Sequence, residues 1–162
     1  MLNLFQHANG RSVDFSIRLA AASDIAAMHR IRLAVRENRL ADGSAIGEDA
    51  YVPFVAAGSA WVAEANNGIV GFAALDFGRG RVWALFVAPG SEGAGIGRAL
   101  HDRLVAQASR PLWLTTSPGT RAETFYERAG WRRAGVTSQG ELRFELAPAT
   151  ASAPRSRPRA RS

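Results

Sequence analysis

Apolar and polar positions alternate through Phe15-Ser16-Ile17-Arg18-Leu19, the period of a half-buried strand. The period then lengthens. Ile25, Met28, Ile31 and Val35 recur at helical spacing, so one apolar helix face is expected up to about Glu37, with Ser23 as N-cap and Asp24 in the acidic first turn. Residues 38–47 read as a loop. Residues 48–57 (EDAYVPFVAA) suggest a second, short helix begun or interrupted by Pro53. Two apolar runs, 61–64 and 69–75, flank Asn66-Asn67-Gly68, and an Asn-Gly pair in that setting predicts a hairpin. After Gly78-Arg79-Gly80, the run 81–87 (RVWALFV) predicts a third meander strand, apolar enough to be covered on both faces.

Beyond Pro89 the pattern changes again. Gly90, Gly93, Gly95 and Gly97 make a glycine-rich turn, and a helix follows to about Ser109 with Ile96, Leu100, Leu104 and Val105 on its buried side. A strand over 111–116, a helix over 120–129 closed by Gly130, a strand opening at Trp131 and an alternating strand over 141–146 complete the series. The order β-α-α-β-β-β-α-β-α-β-β predicts an α/β (α+β) domain over 15–146. Residues 1–14 read as a loose leader. Residues 147–162, rich in Pro, Ala, Ser and Arg, lack the material for a core and are expected to be disordered.

Composition alters this picture in a few places. The chain has 162 residues, a length that fits one domain of the usual 100–200 residues or so. All 20 basic residues are Arg, and four of them fall at 155, 157, 159 and 161. The remaining 16 face 14 carboxylates, so the body is nearly balanced and the pI of 11.3 does not by itself indicate a nucleic-acid partner. The tail has no aromatic residue to stack bases, so any nucleic-acid binding through it would be non-specific and salt-dependent. Zero Cys excludes disulfides, thiolate metal ligands and a cysteine nucleophile, and three scattered His (His7, His29, His101) argue against a metal site. No apolar stretch approaches the roughly 18 residues of a membrane span, and no signal-peptide pattern opens the chain. A soluble, cytoplasmic protein without a metal or membrane partner is expected.

The glycine turn carries the first chemistry. Its side-chain-free backbone and the unpaired amides of the following helix form a site for a phosphate or diphosphate, with Arg98 adding a cation in the first turn. A Walker loop is excluded because the chain has no Lys. The hairpins before the turn and Leu100 after Gly95-x-Gly97 do not fit a dinucleotide fingerprint. The alternative is a loop that merely turns.

Together, Val87-Ala88-Pro89, Glu92-x-x-Gly95-Ile96-Gly97 and Ala122-x-x-Phe125-Tyr126-Glu127-x-x-Gly130-Trp131 resemble the two motifs of the GNAT superfamily, the acetyl-CoA-dependent N-acetyltransferases. The stretch 31–40 also looks like the first helix and acceptor loop of small bacterial members. The resemblance spans most of 15–146 and implies a mixed, mostly antiparallel sheet of six to seven strands flanked by about four helices. It also implies acetyl-CoA as cosubstrate and an amine of a small molecule or peptide as acceptor.

Residue by residue, the resemblance implies that strand 81–87 splays from strand 112–116. Backbone at Leu85, Phe86 and Val87 would bind the pantetheine arm. Glu92, Gly93, Ala94, Gly95, Ile96, Gly97 and Arg98 would surround the diphosphate, and Tyr126 would protonate the leaving sulfur. Three positions depart from the pattern: Glu92 stands where Gln or Arg is usual, Ala84 where a basic Glu often lies, and Gly119 where Asn is frequent. Glu37, His29, Asp76 or a water chain remain as the base. Trp83, Tyr51 and Phe54 could line the acceptor pocket or belong to the core, and Tyr126 could be a packed helix tyrosine. Arg32, Arg36 and Arg39 could attract an acidic acceptor or form an exposed face; Glu37, Tyr51 and Trp83 are the acceptor-side candidates. A non-catalytic acyl-CoA-binding module is the alternative function, and an exposed final strand would suit a homodimer.

Overall fold

The computed structural model describes residues 13–35, 46–66 and 68–148. Seven strands form one sheet: β1 (Phe15–Leu19), β2 (Ala60–Ala65), β3 (Gly68–Asp76), β4 (Arg81–Val87), β5 (Leu112–Thr116), β6 (Arg132–Val136) and β7 (Leu142–Leu146). Their order is β1-β2-β3-β4-β5-β7-β6, and every neighbouring pair is antiparallel except β4 and β5. Four α-helices flank them: α1 (Ile25–Ala34), α2 (Val52–Ala56), α3 (Ile96–Ala106) and α4 (Arg121–Arg128), with 3-10 turns leading into α1 and α2. This is the α/β element order the hydrophobic pattern predicts, in the mixed, mostly antiparallel sheet that the resemblance implies.

Two cores sandwich the sheet. One holds Ile96, Leu100 and Leu104 of α3, Tyr126 of α4, and Leu114 and Phe144. The other holds Met28 and Ile31 of α1 with Tyr51, Phe72 and Ala84. Gly71 sets how closely α3 approaches: a Cβ there would lie 2.9 Å from the Phe86 carbonyl oxygen and 3.1 Å from both Ile96 and Leu100. Any larger residue would collide with the β4 backbone and press on the two α3 side chains.

The central strand β4 has a feature the alternation does not foretell. Its register against β3 shifts between Ala74 and Leu75, so Val82 pairs with Leu75 and Ala84 with Ala74. Trp83 is the extra residue of this bulge. A bulge turns the following side chains to the other face. Val82 therefore packs with α3, whereas Trp83, Ala84 and Phe86 lie with α1.

β4 and β5 pair only at Arg81↔Trp113. Everything that joins them clusters at that end. The Trp113 amide donates to the Gly80 carbonyl at 2.9 Å, its indole N–H donates to the Arg79 carbonyl at 3.0 Å, and Arg110 donates to the Gly78 carbonyl at 2.7 Å. Arg81 and Arg143 both lie over the Trp113 ring. Gly80, at φ +65°, passes so close to Pro111 that a Cβ would meet its carbonyl oxygen at 2.6 Å. Past this clamp the strands separate.

Several expectations are corrected. α1 stops at Ala34, because Val35 turns to extended backbone (ψ 102°). Ser23 caps nothing. Asp24 does that work, accepting the Ala21 amide at 2.7 Å while held by Arg18 at 2.7 and 3.0 Å. α3 ends at Ala106 rather than near Ser109, and Trp131 is buried just ahead of β6 instead of opening it. The final strand β7 is not exposed at an edge: it lies between β5 and β6, so the argument for a homodimer through it fails. Asn67, residues 38–45 of the loop expected at 38–47, the leader up to 12 and the tail from 149 lie outside the described residues.

Candidate active site

Where β4 and β5 part, a cleft of about 960 Å³ opens between them. The side of β4 that faces away from β3 has no ladder partner beyond Arg81, so its backbone groups near Leu85, Phe86 and Val87 are open to an added extended chain. Those three residues line the cleft.

At one end lies the glycine turn. Gly93 and Gly95 adopt φ +78° and +83°, conformations that L side chains rarely accept. Gly95 is the N-cap of α3 and no side chain caps that helix, which leaves its first amides for a ligand. Gly93, Gly95, Ile96, Gly97 and Arg98 all line the cleft. Ala94 does not; it is buried in the α3 core.

Glu92 answers its own electrostatic problem. Its carboxylate folds back to accept the Gly90 amide at 2.7 Å and lies 3.7 Å from the Arg121 guanidinium. The negative charge is thereby shared with a cation from the first turn of α4. Arg121 lines the same end as Arg98, and no spacing rule links residue 121 to residue 92. They meet only because the parted strands bring the N-termini of α3 and α4 together. Arg98 is held by Asp102 one turn along α3, at 3.0 Å. The glycine backbone, the uncapped helix and the two arginines are a donor set suited to a diphosphate.

Tyr126 projects from α4 into the wall of the cleft and is 6% exposed. Phe125, Trp131 and Phe144 surround its ring at centroid distances of 5.2, 5.3 and 6.1 Å. Burial pushes its phenol well above the usual tyrosine range, so it stays protonated at neutral pH. Gly119, at φ +74°, donates its amide to the Glu123 carboxylate at 2.6 Å, which ties the start of α4 without an Asn side chain.

The acceptor-side candidates separate. Trp83 lines the cleft, with Phe54 stacked on it at 4.6 Å. Tyr51 is fully buried behind it, bonded to His29 Nδ1 at 3.1 Å, and is not part of the cleft wall. Burial pushes the Tyr51 phenol upward, against a smaller downward pull from the Arg32 charge. Of the candidate bases, His29 faces Tyr51 and Asp76 accepts the Arg79 amide at 3.1 Å; neither lines the cleft. Glu37, Arg36 and Arg39 lie outside the described residues. Among the described residues no group of three or more His, Asp or Glu side chains could hold a metal ion, and no helix is long and apolar enough to cross a membrane.

The model of the acetyltransferase (GNAT) domain family matches residues 56–133, which contain the glycine turn, the parted strands and Tyr126. Solved structures share the fold. A GNAT-family acetyltransferase from Bacillus cereus superposes with a TM-score of 0.69 at 15% identity, over 82% of this chain and 96% of its own. The yncA protein of Salmonella typhimurium, solved with its cofactor acetyl-CoA, gives 0.69 at 20% identity, over 88% and 98%. The ribosomal-protein-S18-alanine N-acetyltransferase of Escherichia coli gives 0.66 at 19% identity, over 85% and 96%. No curated protein sequence matches the chain.

Proposed function

We propose that this chain, whose residues 56–133 match the acetyltransferase (GNAT) domain family, is a GNAT acetyltransferase that moves the acetyl group of acetyl-CoA directly onto a primary amine of a small molecule or peptide, with Tyr126 as general acid. The observation that carries this reading is the cleft itself, in which one continuous wall joins the glycine turn, the open edge of β4 and the Tyr126 side chain.

In this reading the amides of residues 93–98 with Arg98 and Arg121 hold the diphosphate, and the unpaired edge of β4 aligns the pantetheine arm. Bound there, acetyl-CoA supplies a thioester carbon open to a neutral amine and a sulfur that leaves as thiolate. Tyr126 gives its proton to that sulfur; the phenol is protonated at the reaction pH, and burial, which makes it a weaker acid, is offset as negative charge develops on the sulfur beside it. The nitrogen's surplus proton passes to water, from which the phenolate is reprotonated, so each turnover yields one amide and one free thiol.

A second reading, a non-catalytic acyl-CoA-binding module, draws on Ala84, which is buried where relatives often carry a basic Glu, and on the absence of His29 and Asp76 from the cleft wall. An acetyl-CoA turnover screen over polyamines, amino acids, aminoglycosides and peptide N-termini separates the two. Amine-dependent thiol release supports transfer; CoA binding with no amine consumed supports the module.

A further inference from the structure

Arg32 lies in the last turn of α1, and its guanidinium carbon sits 4.6 Å over the Trp83 ring and 5.3 Å over the Phe86 ring. The bulge in β4 brings both rings to this face of the sheet. Arg32 is only half-buried and lines the cleft, with the Tyr51 hydroxyl beside its guanidinium, yet its Nη1 atom is buried and has no hydrogen-bond partner among the described residues. A guanidinium is always charged and has five donors in a fixed fork. Stacking on two rings fixes the plane of that fork, and a buried donor left unpaired is costly. Neither α1 nor β4 contains an acid, and among the described residues neither Glu48 nor Asp49, on the turn packed against α1, is hydrogen-bonded to that Nη1 atom.

The remaining charges of the cleft point the same way. Among the described residues four arginines line it, Arg32, Arg81, Arg98 and Arg121, against two acids, Glu92 and Glu141. Arg98 and Arg121 stand at the glycine turn, and Glu92 is held there by the Gly90 amide and Arg121. Arg32 and Arg81 are left away from that end, and Arg81 also has a buried nitrogen, Nε, without a partner among the described residues. A polycationic acceptor would meet like charge here.

We propose that Arg32 binds a carboxylate of the acceptor, so that the substrates are amino carboxylates rather than polyamines or aminoglycosides. The inference rests on the acetyl-transfer reading for the amine, but the anion site can be tested without turnover. A carboxylate matches the guanidinium fork with two parallel hydrogen bonds, and the Trp83 face leaves an apolar wall beside it for the rest of the ligand.

The test is calorimetric titration of the full chain saturated with CoA. The probes are a set of amino acids, each with its carboxamide and its decarboxylated amine; L-phenylalanine, L-phenylalaninamide and phenethylamine form one such trio. Acids should bind at least tenfold more tightly than their amides. R32Q should erase that preference, while R32K, a point charge without the fork, should keep part of it and serves if R32Q does not fold. Equal affinity for acids and amides, a preference that survives R32Q, or no binding by any acid overturns the proposal. Acids that bind through Arg32 but are never acetylated leave the anion site standing and remove the transfer reading. Neutral amines acetylated as fast as their acids do the reverse.

Discussion

Trp131 donates its indole N–H to Nε2 of the buried His101 at 2.9 Å. An indole is only a donor, so Nε2 must present its lone pair and the ring proton resides on Nδ1. From there it bonds Asp102 Oδ1 at 2.9 Å, the same oxygen that accepts Arg98 Nε at 3.0 Å. A short chain of bonds thus runs from the end of α4 through the core to the cation beside the glycine turn.

Trp131→Phe should remove the donor and leave Nε2 unpaired in the core. The expected cost is about 1–3 kcal/mol. For a chain of this size that lowers Tm by several degrees, at about 2–4 °C per kcal/mol, and thermal unfolding by circular dichroism reads it. Unchanged Tm would mean that the bond contributes nothing.

Arg98→Gln should act differently. Its side chain is half in solvent, so Tm should hold within a degree or two while CoA affinity falls several-fold, most clearly at low salt. Titration at two ionic strengths checks this. A variant that binds CoA as well as the parent at both would remove Arg98 from the diphosphate site.

Gly71→Ala should destabilise the chain by about 1–3 kcal/mol, because the new methyl would overlap the Phe86 carbonyl, Ile96 and Leu100. As α3 would shift with its first turn, CoA affinity should fall along with stability. Denaturant unfolding and CoA titration on the same sample would register both; a loss of neither would contradict the close packing of α3.

Asp24 gives a pH signature. Hydrogen bonds from Arg18, aided by the Ala21 amide, hold its carboxyl below the usual value of 3.8 despite the opposing effect of burial. A lowered folded-state value contributes stability that is present above 3.8 and lost as pH falls through the folded value. Asp24→Asn should therefore be less stable than the parent at pH 7, and the gap should close towards pH 3. A gap that is constant over this range would refute the linkage.

The elements that pack by simple period were readable from the chain. The alternation of 15–19, the Asn-Gly turn and the i, i+4 series of α3 each report a local geometry, and the strands lie within a residue or two of where those patterns put them. What was not readable depends on pairing between distant segments. Trp83 and Phe86 share the α1 face because of a bulge against β3, an offset that no property of 81–87 alone encodes. Arg121 meets Glu92, and Trp131 meets His101, through the sheet order, and β7 moves inside because β6 folds back around it. Tyr51 looked like a pocket residue by type, but its place behind Trp83 is set by the approach of α1 to the 48–51 turn.

The central claim is that Tyr126 supplies a proton to the departing sulfur in an acetyl transfer. Tyr126→Phe keeps the ring that packs against Phe125, Trp131 and Phe144, so the fold and CoA binding should persist. Steady-state thiol release with the best amine from the screen, followed from pH 7 to 10, is the direct measurement. The parent enzyme should show no alkaline loss from this phenol up to the ordinary tyrosine value of 10.0, and the variant's kcat should fall by about a hundredfold with KM for acetyl-CoA unchanged. Equal kcat in the two proteins would contradict the account.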